Sequence, residues 1–456
     1  MCGLIGFISK KNISKDLIFQ MLDSLKHRGP DSNDYYLDSR FNLFLGHTRL
    51  SILDVSDKAN QPIISKNKRY VMIFNGEIYN FNKLKKLLND KFTIKWNSHG
   101  DTEVLINCIE KFGFVESLKL IEGMFAIAVY DIKLHKIYLA RDKFGEKPLY
   151  FGNSNGKFYF SSELKAMMVD KYFHKEINKL SVKYLMSYNY IPSPLSIFKN
   201  IYKLKQGHYI QIDLNKNNYD SNSFNQIKYT NNETNNEFEN YATNDNFEKN
   251  KNILRDLIFD SVENKIGSDV EIGSFLSSGI DSSTITSVMS HVSKKKIQTF
   301  SLGFQDDYFD ESKQSEKISK FLGTHHHNIN FDLNDASDLV LNLPKFFCEP
   351  FSDSSQIPTL YLSKETSKYV KVCCSGDGGD ELFGGYNRYI NSQLMHDMYL
   401  KKKSLKGSLI NIMGSRKLDF IFNFLLKFNN FFPNKFKIHN MIDKSENIVS
   451  ALKEKN

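Results

Sequence analysis

The 456-residue sequence has little that would cross-link it. Its five cysteines (Cys2, Cys108, Cys348, Cys373 and Cys374) are odd in number and follow no zinc-type spacing. A disulfide framework is not expected, and a reducing, cytoplasmic setting is. No apolar run approaches the roughly 20 residues of a membrane span. The apolar stretch after Met1 is too short for a signal peptide. The net charge of +9 comes from Lys and Arg scattered among Asp and Glu, without an arginine-rich arm or basic stripe. Nucleic acid and membrane are therefore not expected as partners. A mild positive balance suits anionic small-molecule substrates. No internal repeat is present.

Two composition regimes follow one another. The first two hundred residues carry short apolar runs broken by turns. Tyr70–Ile78, Met124–Asp131, Lys136–Arg141 and Lys157–Ser161 read as strands, and Asp101–Phe112 has helical spacing. This mixture predicts an α+β domain with antiparallel sheets. Residues 211–250 are rich in Asn, Thr and Glu, poor in aliphatics, and read as a linker. Beyond them strand and helix alternate. Val270–Leu276, Ile297–Phe304 and Tyr369–Ser375 read as strands. Asn252–Lys265, Ser282–Ser293 and Asp310–Leu322 read as helices, the last with Gly323 at its C-terminal cap. That alternation predicts an α/β domain with a parallel sheet. The expected domains are 1–210, the linker 211–250, 251–393, and a short helical segment 394–456 that includes Asp419–Phe432.

Cys2 directly follows the initiator methionine. Removal of Met1 would make it a terminal residue carrying both a nucleophilic thiol and an α-amine. A free α-amine titrates at roughly 7.7–8.0 and can shuttle the proton. The plain alternative is a small residue at the start of a strand. His27-Arg28-Gly29-Pro30-Asp31, Gly46-His47-Thr48-Arg49, Asn75-Gly76-Glu77 and Gly100-Asp101-Thr102-Glu103 form further clusters. Each alone could be a capped turn, a hairpin or a surface charge.

Taken together, these clusters resemble the class II glutamine amidotransferase domain over roughly residues 1–207. The stretches 140–150 and 161–166 share in that resemblance. It implies an N-terminal-nucleophile fold, two sheets between helical layers (αββα). It also implies Cys2 as nucleophile, with the Asn75 side chain and the Gly76 backbone N–H as oxyanion donors. Arg49 would hold the glutamine α-carboxylate. Asp101 would hold the α-ammonium, helped by Glu77 and the backbone near Leu50, Ser51, Ile52 and Leu53.

In the second half, Phe275-Leu276-Ser277-Ser278-Gly279-Ile280-Asp281-Ser282 lies between a strand and a helix. Such a turn can present backbone N–H groups to phosphate. No Walker A lysine follows. It resembles the pyrophosphate loop of ATP pyrophosphatases, with Ser278 where a glycine is usual. Ser375-Gly376-Asp377-Gly378-Gly379-Asp380-Glu381 is more specific, packing glycines and carboxylates after a strand.

From about residue 251 to 389 the sequence resembles the synthetase domain of the glutamine-hydrolysing asparagine synthetase family, in that family's domain order. The resemblance implies ATP and Mg²⁺ as cofactors. Phe275, Leu276, Ser277, Ser278, Gly279, Asp281, Ser282, Leu302, Ser375 and Gly376 would contact ATP. Asp377 would serve acyl-adenylate formation, and Asp281, Asp380 and Glu381 the metal. The implied reaction is glutamine-dependent amidation of the aspartate side chain through a β-aspartyl-AMP.

Two features depart from the family pattern. Residues 390–456 show no Tyr-Leu-Pro-Asp-Asp-like segment, which keeps a glutaminase-only form as an alternative. The segment Cys348–Pro358, where the acceptor is expected, carries no arginine, so another carboxylate such as a uronic acid is a further alternative. A homodimer is compatible with this reading. Three histidines, His325–His327, sit on a presumed strand with side chains on alternate faces, which argues against joint metal coordination. Cys373 and Cys374 read as core residues, and Lys401–Lys403 as a solvated face.

Overall fold

The computed structural model describes residues 1–10, 13–216, 224–230, 246–304, 310–331, 333–387, 389 and 392. Its strands are β1 Gly3–Ile8, β2 Ser32–Asp38, β3 Leu43–Arg49, β4 Ile63–Ile64, β5 Tyr70–Ile78, β6 Gly123–Asp131, β7 Lys136–Arg141, β8 Tyr150–Ser154, β9 Lys157–Ser161, β10 Ile201–Lys203, β11 His208–Asp213, β12 Ile227–Lys228, β13 Ile272–Phe275, β14 Gln298–Gly303, β15 His325–Asn330 and β16 Val372–Cys374. Asp419–Phe432 and Lys401–Lys403 lie outside the described residues.

β1 to β12 form two antiparallel six-stranded sheets, ordered β10-β8-β9-β1-β3-β2 and β12-β11-β7-β6-β5-β4. Alternation sorts their side chains into three apolar layers. Leu4 and Ile8 of β1 meet Val71 and Ile73 of β5 between the sheets. Ile5 and Phe7 point the other way, against Ile18, Met21 and Leu22 of helix Lys15–Asp23. Met72 and Phe74 face helices Phe81–Lys91 and Asp101–Phe112 through Leu84, Leu88, Leu105 and Ile109. Helix, sheet, sheet and helix are thus stacked as expected of the αββα class.

β13 to β16 form a separate parallel sheet ordered β15-β14-β13-β16. Helix Ile280–Val292 packs on it through Val288 and Met289. Helix Ser312–Leu322 ends at Gly323, whose φ of +68° is a conformation glycine adopts without steric cost.

Part of the Asn-rich stretch is structured. β12 pairs with β11, and Tyr229 is buried against Phe125 and donates to the Arg141 carbonyl at 2.9 Å. Two aromatics, Phe224 packed on Phe158 and Tyr229, anchor a segment whose average composition reads as solvent-exposed. The following helix begins at Phe247, capped by Asn246, rather than at Asn252.

Met1–Gly376 make one compact unit that includes all three sheets, and a second unit begins at Asp377. Within the first, polar bonds join the sandwich to the parallel-sheet half. Glu349 accepts from Ile197 N–H at 2.7 Å and pairs with Lys203 at 2.6 Å. Ser352 N–H donates to Asn189 O at 2.7 Å, and Lys371 pairs with Asp31 at 2.9 Å.

Candidate active site

β1 carries Cys2 at its mouth, beside the end of β3. The Cys2 Sγ lies 3.4 Å from Leu50 N, which donates to it, and 3.7 Å from Leu50 O. Burial pushes the thiol above its usual range, while the Leu50 N–H, the neighbouring α-amine and Arg49 oppose that rise. The α-amine in this chain belongs to Met1. Burial lowers its pKa to about 6. The Met1 thioether rests against Lys147 Nζ at 3.3 Å and Arg28 Nη2 at 3.8 Å.

Arg28 fixes the backbone at Cys2 by donating from Nε to Cys2 O at 2.9 Å. Its other end binds Glu163 at 2.7 Å, and His27 and Lys165 reach the same carboxylate at 3.0 and 2.9 Å. Burial opposes ionisation of Glu163, but these three partners outweigh it and hold the carboxyl down at about 2. Cys348 Sγ also lies 3.6 Å from Glu163.

Asn75 and Gly76 sit near the end of β5. Asn75 is 1% exposed, and neither side-chain polar atom has a partner among the described residues. A buried amide left unpaired costs about 1–3 kcal/mol, so Asn75 is not held there for stability. At Gly76 an added Cβ would fall 2.1 Å from Met124 O, so only glycine fits.

Arg49 ends β3. Its guanidinium donates to Ser56 O and the Asn60 side chain at 2.8 Å, and also to the carbonyls of Leu53 and Asp54. It thereby shapes the loop Leu50–Asp54, and among the described residues no carboxylate is ion-paired with it. Asp101 opens helix Asp101–Phe112 and accepts from Ile78 N–H at 2.9 Å. Burial raises Asp101 to about 6. Glu77 rises to about 7, through burial first and the nearby Asp101 charge second, against the pull of Lys147.

The second half places Ser277, Ser278 and Gly279 in an exposed turn between β13 and helix Ile280–Val292. Leu276 N–H donates to Phe300 O at 2.8 Å, tying the turn to β14, on which Leu302 lies. Ser282 Oγ accepts from Ser277 N–H at 3.1 Å. Ser278 donates from N and Oγ to one oxygen of Glu311, at 3.0 and 2.8 Å. A carboxylate thus already occupies donors of the kind a phosphate would use. Gly376 closes over the same helix start, where a Cβ would lie 2.7 Å from Ser282 N. Ser375 and Gly376 follow β16, and Asp281 is in the helix's first turn.

In the second unit, Asp380 and Glu381 open helix Gly379–Phe383, after Asp377. Glu381 accepts from Tyr386 OH at 2.8 Å. Among the described residues no group of three or more His, Cys, Asp or Glu is arranged to hold a metal ion. His325 and His327 stack at 4.8 Å, while His326 lies 3.0 Å from Thr299 and 3.1 Å from Ser301. Cys373 and Cys374 are only half-buried.

Sequence reasoning assigned no role to Glu163, Lys147, Glu311, Asp269 or Lys371. Glu163 and Lys147 lie inside recognisable clusters, but nothing in their spacing shows which residue each carboxylate or amine will meet. Glu311 and Lys371 belong to no motif.

An αββα sandwich that brings the Cys2 thiol, Arg49, Asp101 and Glu77 within electrostatic reach of one another has the frame of a glutamine amidotransferase domain. The glutamine amidotransferase domain family matches residues 1–224, and the asparagine synthase family residues 253–422. A Methanocaldococcus jannaschii protein bearing the name of glutamine-hydrolyzing asparagine synthetase 2 is 35% identical over 417 residues, covering 87% of this chain and 77% of that protein. Glutamine-hydrolyzing asparagine synthetase 1 of Bacillus subtilis is 35% identical over 424 residues, covering 90% of this chain and 63% of its own length. Among solved structures, the glutamine phosphoribosylpyrophosphate amidotransferase of B. subtilis aligns at 15% identity with a TM-score of 0.37, over 72% of this chain and 65% of that one. The chain belongs to the glutamine-hydrolysing asparagine synthetase family. It spans about three quarters of the first of these relatives and less than two thirds of the second.

Proposed function

We propose that this chain hydrolyses glutamine at Cys2 and uses the ammonia to amidate the side chain of aspartate at the expense of ATP. The observation that carries the first step is the buried, unpartnered Asn75 beside a strand end where only Gly76 fits. In that reading Met1 is removed, and the exposed α-amine of Cys2 takes the thiol proton. The thiolate attacks the amide carbon of glutamine. Asn75 and the Gly76 N–H receive the oxyanion, ammonia leaves with the shuttled proton, and water cleaves the thioester to glutamate. Arg49 attracts the α-carboxylate, and Asp101 with Glu77 the α-ammonium.

At the second site ATP enters as its Mg²⁺ complex, with Phe275–Ser282, Leu302, Ser375 and Gly376 around it. The fit rests on the Ser278 donors, which already hold an anionic group. Asp281 would serve the metal that accompanies the phosphates; in the second unit, taken by itself, Asp380 and Glu381 offer carboxylates suited to a metal and Asp377 one suited to the adenylation step. The acceptor carboxylate attacks the α-phosphorus, pyrophosphate leaves, and ammonia then displaces AMP. We place this chemistry in the cytoplasm. Purified protein given glutamine, aspartate and MgATP should release glutamate, AMP, pyrophosphate and asparagine. Failure to form AMP with aspartate, with AMP appearing on addition of a uronic acid, would replace aspartate by a sugar carboxylate.

The carboxylate pair gives a pH signature. Glu77 must be ionised to attract an ammonium, and its raised pKa of about 7 means that protons compete in the physiological range. Its ionised fraction falls from about nine-tenths at pH 8 to about one-tenth at pH 6. The KM for glutamine should therefore rise roughly tenfold over that interval, and Glu77→Gln should flatten the dependence while raising KM throughout. A pH-independent KM in the unsubstituted enzyme would remove Glu77 from ammonium recognition.

A further inference from the structure

The loop Leu50–Asp54 touches the nucleophile at one end, and the parallel sheet of the other half grips it at two points. Asp269, three residues before β13, accepts from Asp54 N–H at 2.7 Å and donates its own N–H to Ile52 O at 3.2 Å. The same carboxylate meets His99 Nε2 at 2.7 Å. His99 N–H in turn donates to Asp54 Oδ2 at 3.0 Å, two residues before Asp101. The second grip is Lys371, the residue before β16. It pairs with Asp31 Oδ2 at 2.9 Å, and that oxygen also accepts from Ser51 N–H at 2.8 Å.

β13 and β16 are adjacent, with Ile272 opposite Val372. Their entry ends hold the loop beside Cys2. Their exit ends become the Leu276–Gly279 turn and the Ser375–Gly376 segment. A strand of three or four residues is stiff along its length, so its two ends do not move independently.

We propose that Asp269 and Lys371 are positioning residues for glutamine hydrolysis, supplied by the ATP-binding half. Through β13 and β16 they couple the shape of the loop at Leu50–Asp54 to occupancy of the turn at Ser277–Gly279. This rests on the glutamine and ATP sites as read above. Asp269 dominates, because it binds two backbone groups of the loop and a side chain. The Lys371–Asp31 pair is solvent-exposed and contributes less. Coupling of this kind is reciprocal: whatever factor ATP imposes on glutamine affinity, glutamine imposes on ATP affinity.

The test measures two nitrogen sources on the same proteins. Asp269→Ala should raise the glutamine KM fivefold or more, and Lys371→Met about two- to threefold. AMP formation supported by saturating ammonium should stay within twofold of the parent. Adding MgATP should shift the glutamine KM in the parent but not in Asp269→Ala. Asp269→Asn keeps an oxygen for the Asp54 N–H and should recover part of the loss. Unchanged glutamine KM in both variants would overturn the inference. So would a parallel loss of ammonium-supported turnover, which would assign these residues to folding alone. If Asp269→Ala does not fold, Asp269→Asn and Lys371→Met carry the same comparison. A parent enzyme without glutaminase activity would instead refute the functional reading itself.

Discussion

Replacing Cys2 by alanine should lower glutamine-dependent turnover by roughly 10⁴-fold or more, the scale seen when a covalent nucleophile is removed. Ammonium-supported AMP formation should survive, because nothing at Ser277–Gly279 depends on the thiol. The same silence should follow if Met1 is retained. Its α-amine titrates at about 6 and lies one residue away from the thiol it would have to serve. Intact-mass analysis paired with glutaminase assays tests both statements. Full glutaminase activity in protein that keeps Met1, or in Cys2→Ala, would end the N-terminal nucleophile mechanism. Cys2→Ser is the sharper variant, since it keeps size and hydrogen bonding while losing thiolate chemistry.

Asn75→Ala should lower the glutaminase kcat by about 10²–10³-fold, the usual cost of one oxyanion donor, with little change in KM. Its thermal stability should barely suffer. The native amide is buried without partners, so deleting it also removes an unpaired polar group, offsetting the small cavity. This opposition between rate and stability separates a group held for the transition state from one held for the fold. Comparable kcat in Asn75→Ala, or a melting temperature lowered by ten degrees with activity per folded molecule intact, would contradict the assignment.

The two halves were legible in the sequence to different depths. Tyr70–Ile78 and Asp101–Phe112 have the bounds their apolar periods predict, because a largely buried strand and an amphipathic helix each leave a strong pattern. The Ile227–Tyr229 segment was hidden, since two apolar side chains inside a polar stretch leave no period to detect. At the candidate site, the sequence clusters name residues without giving their bonds. Arg49, expected to face a carboxylate, also organises four loop acceptors. Glu163, which has no assigned role in the sequence reading, joins Arg28, His27, Lys165 and Cys348 from positions up to 185 residues apart. Such meetings depend on how sheets stack, and a single sequence does not encode them in any local spacing. For the same reason Asp269 and Lys371 look like ordinary surface charges.

β1 has a practical consequence. All six of its residues are buried, and alternate ones serve different layers, Leu4 and Ile8 on one side and Ile5 and Phe7 on the other. A slip of one residue would exchange these sets, and Gly6 has no substitute, because a Cβ there would lie 2.2 Å from the Phe160 ring. The strand therefore behaves like a ruler with its zero mark at the thiol. Preparations with ragged or tagged N-termini should titrate as mixtures of live and dead enzyme, in which the fraction correctly trimmed, and not the fraction folded, sets the apparent specific activity.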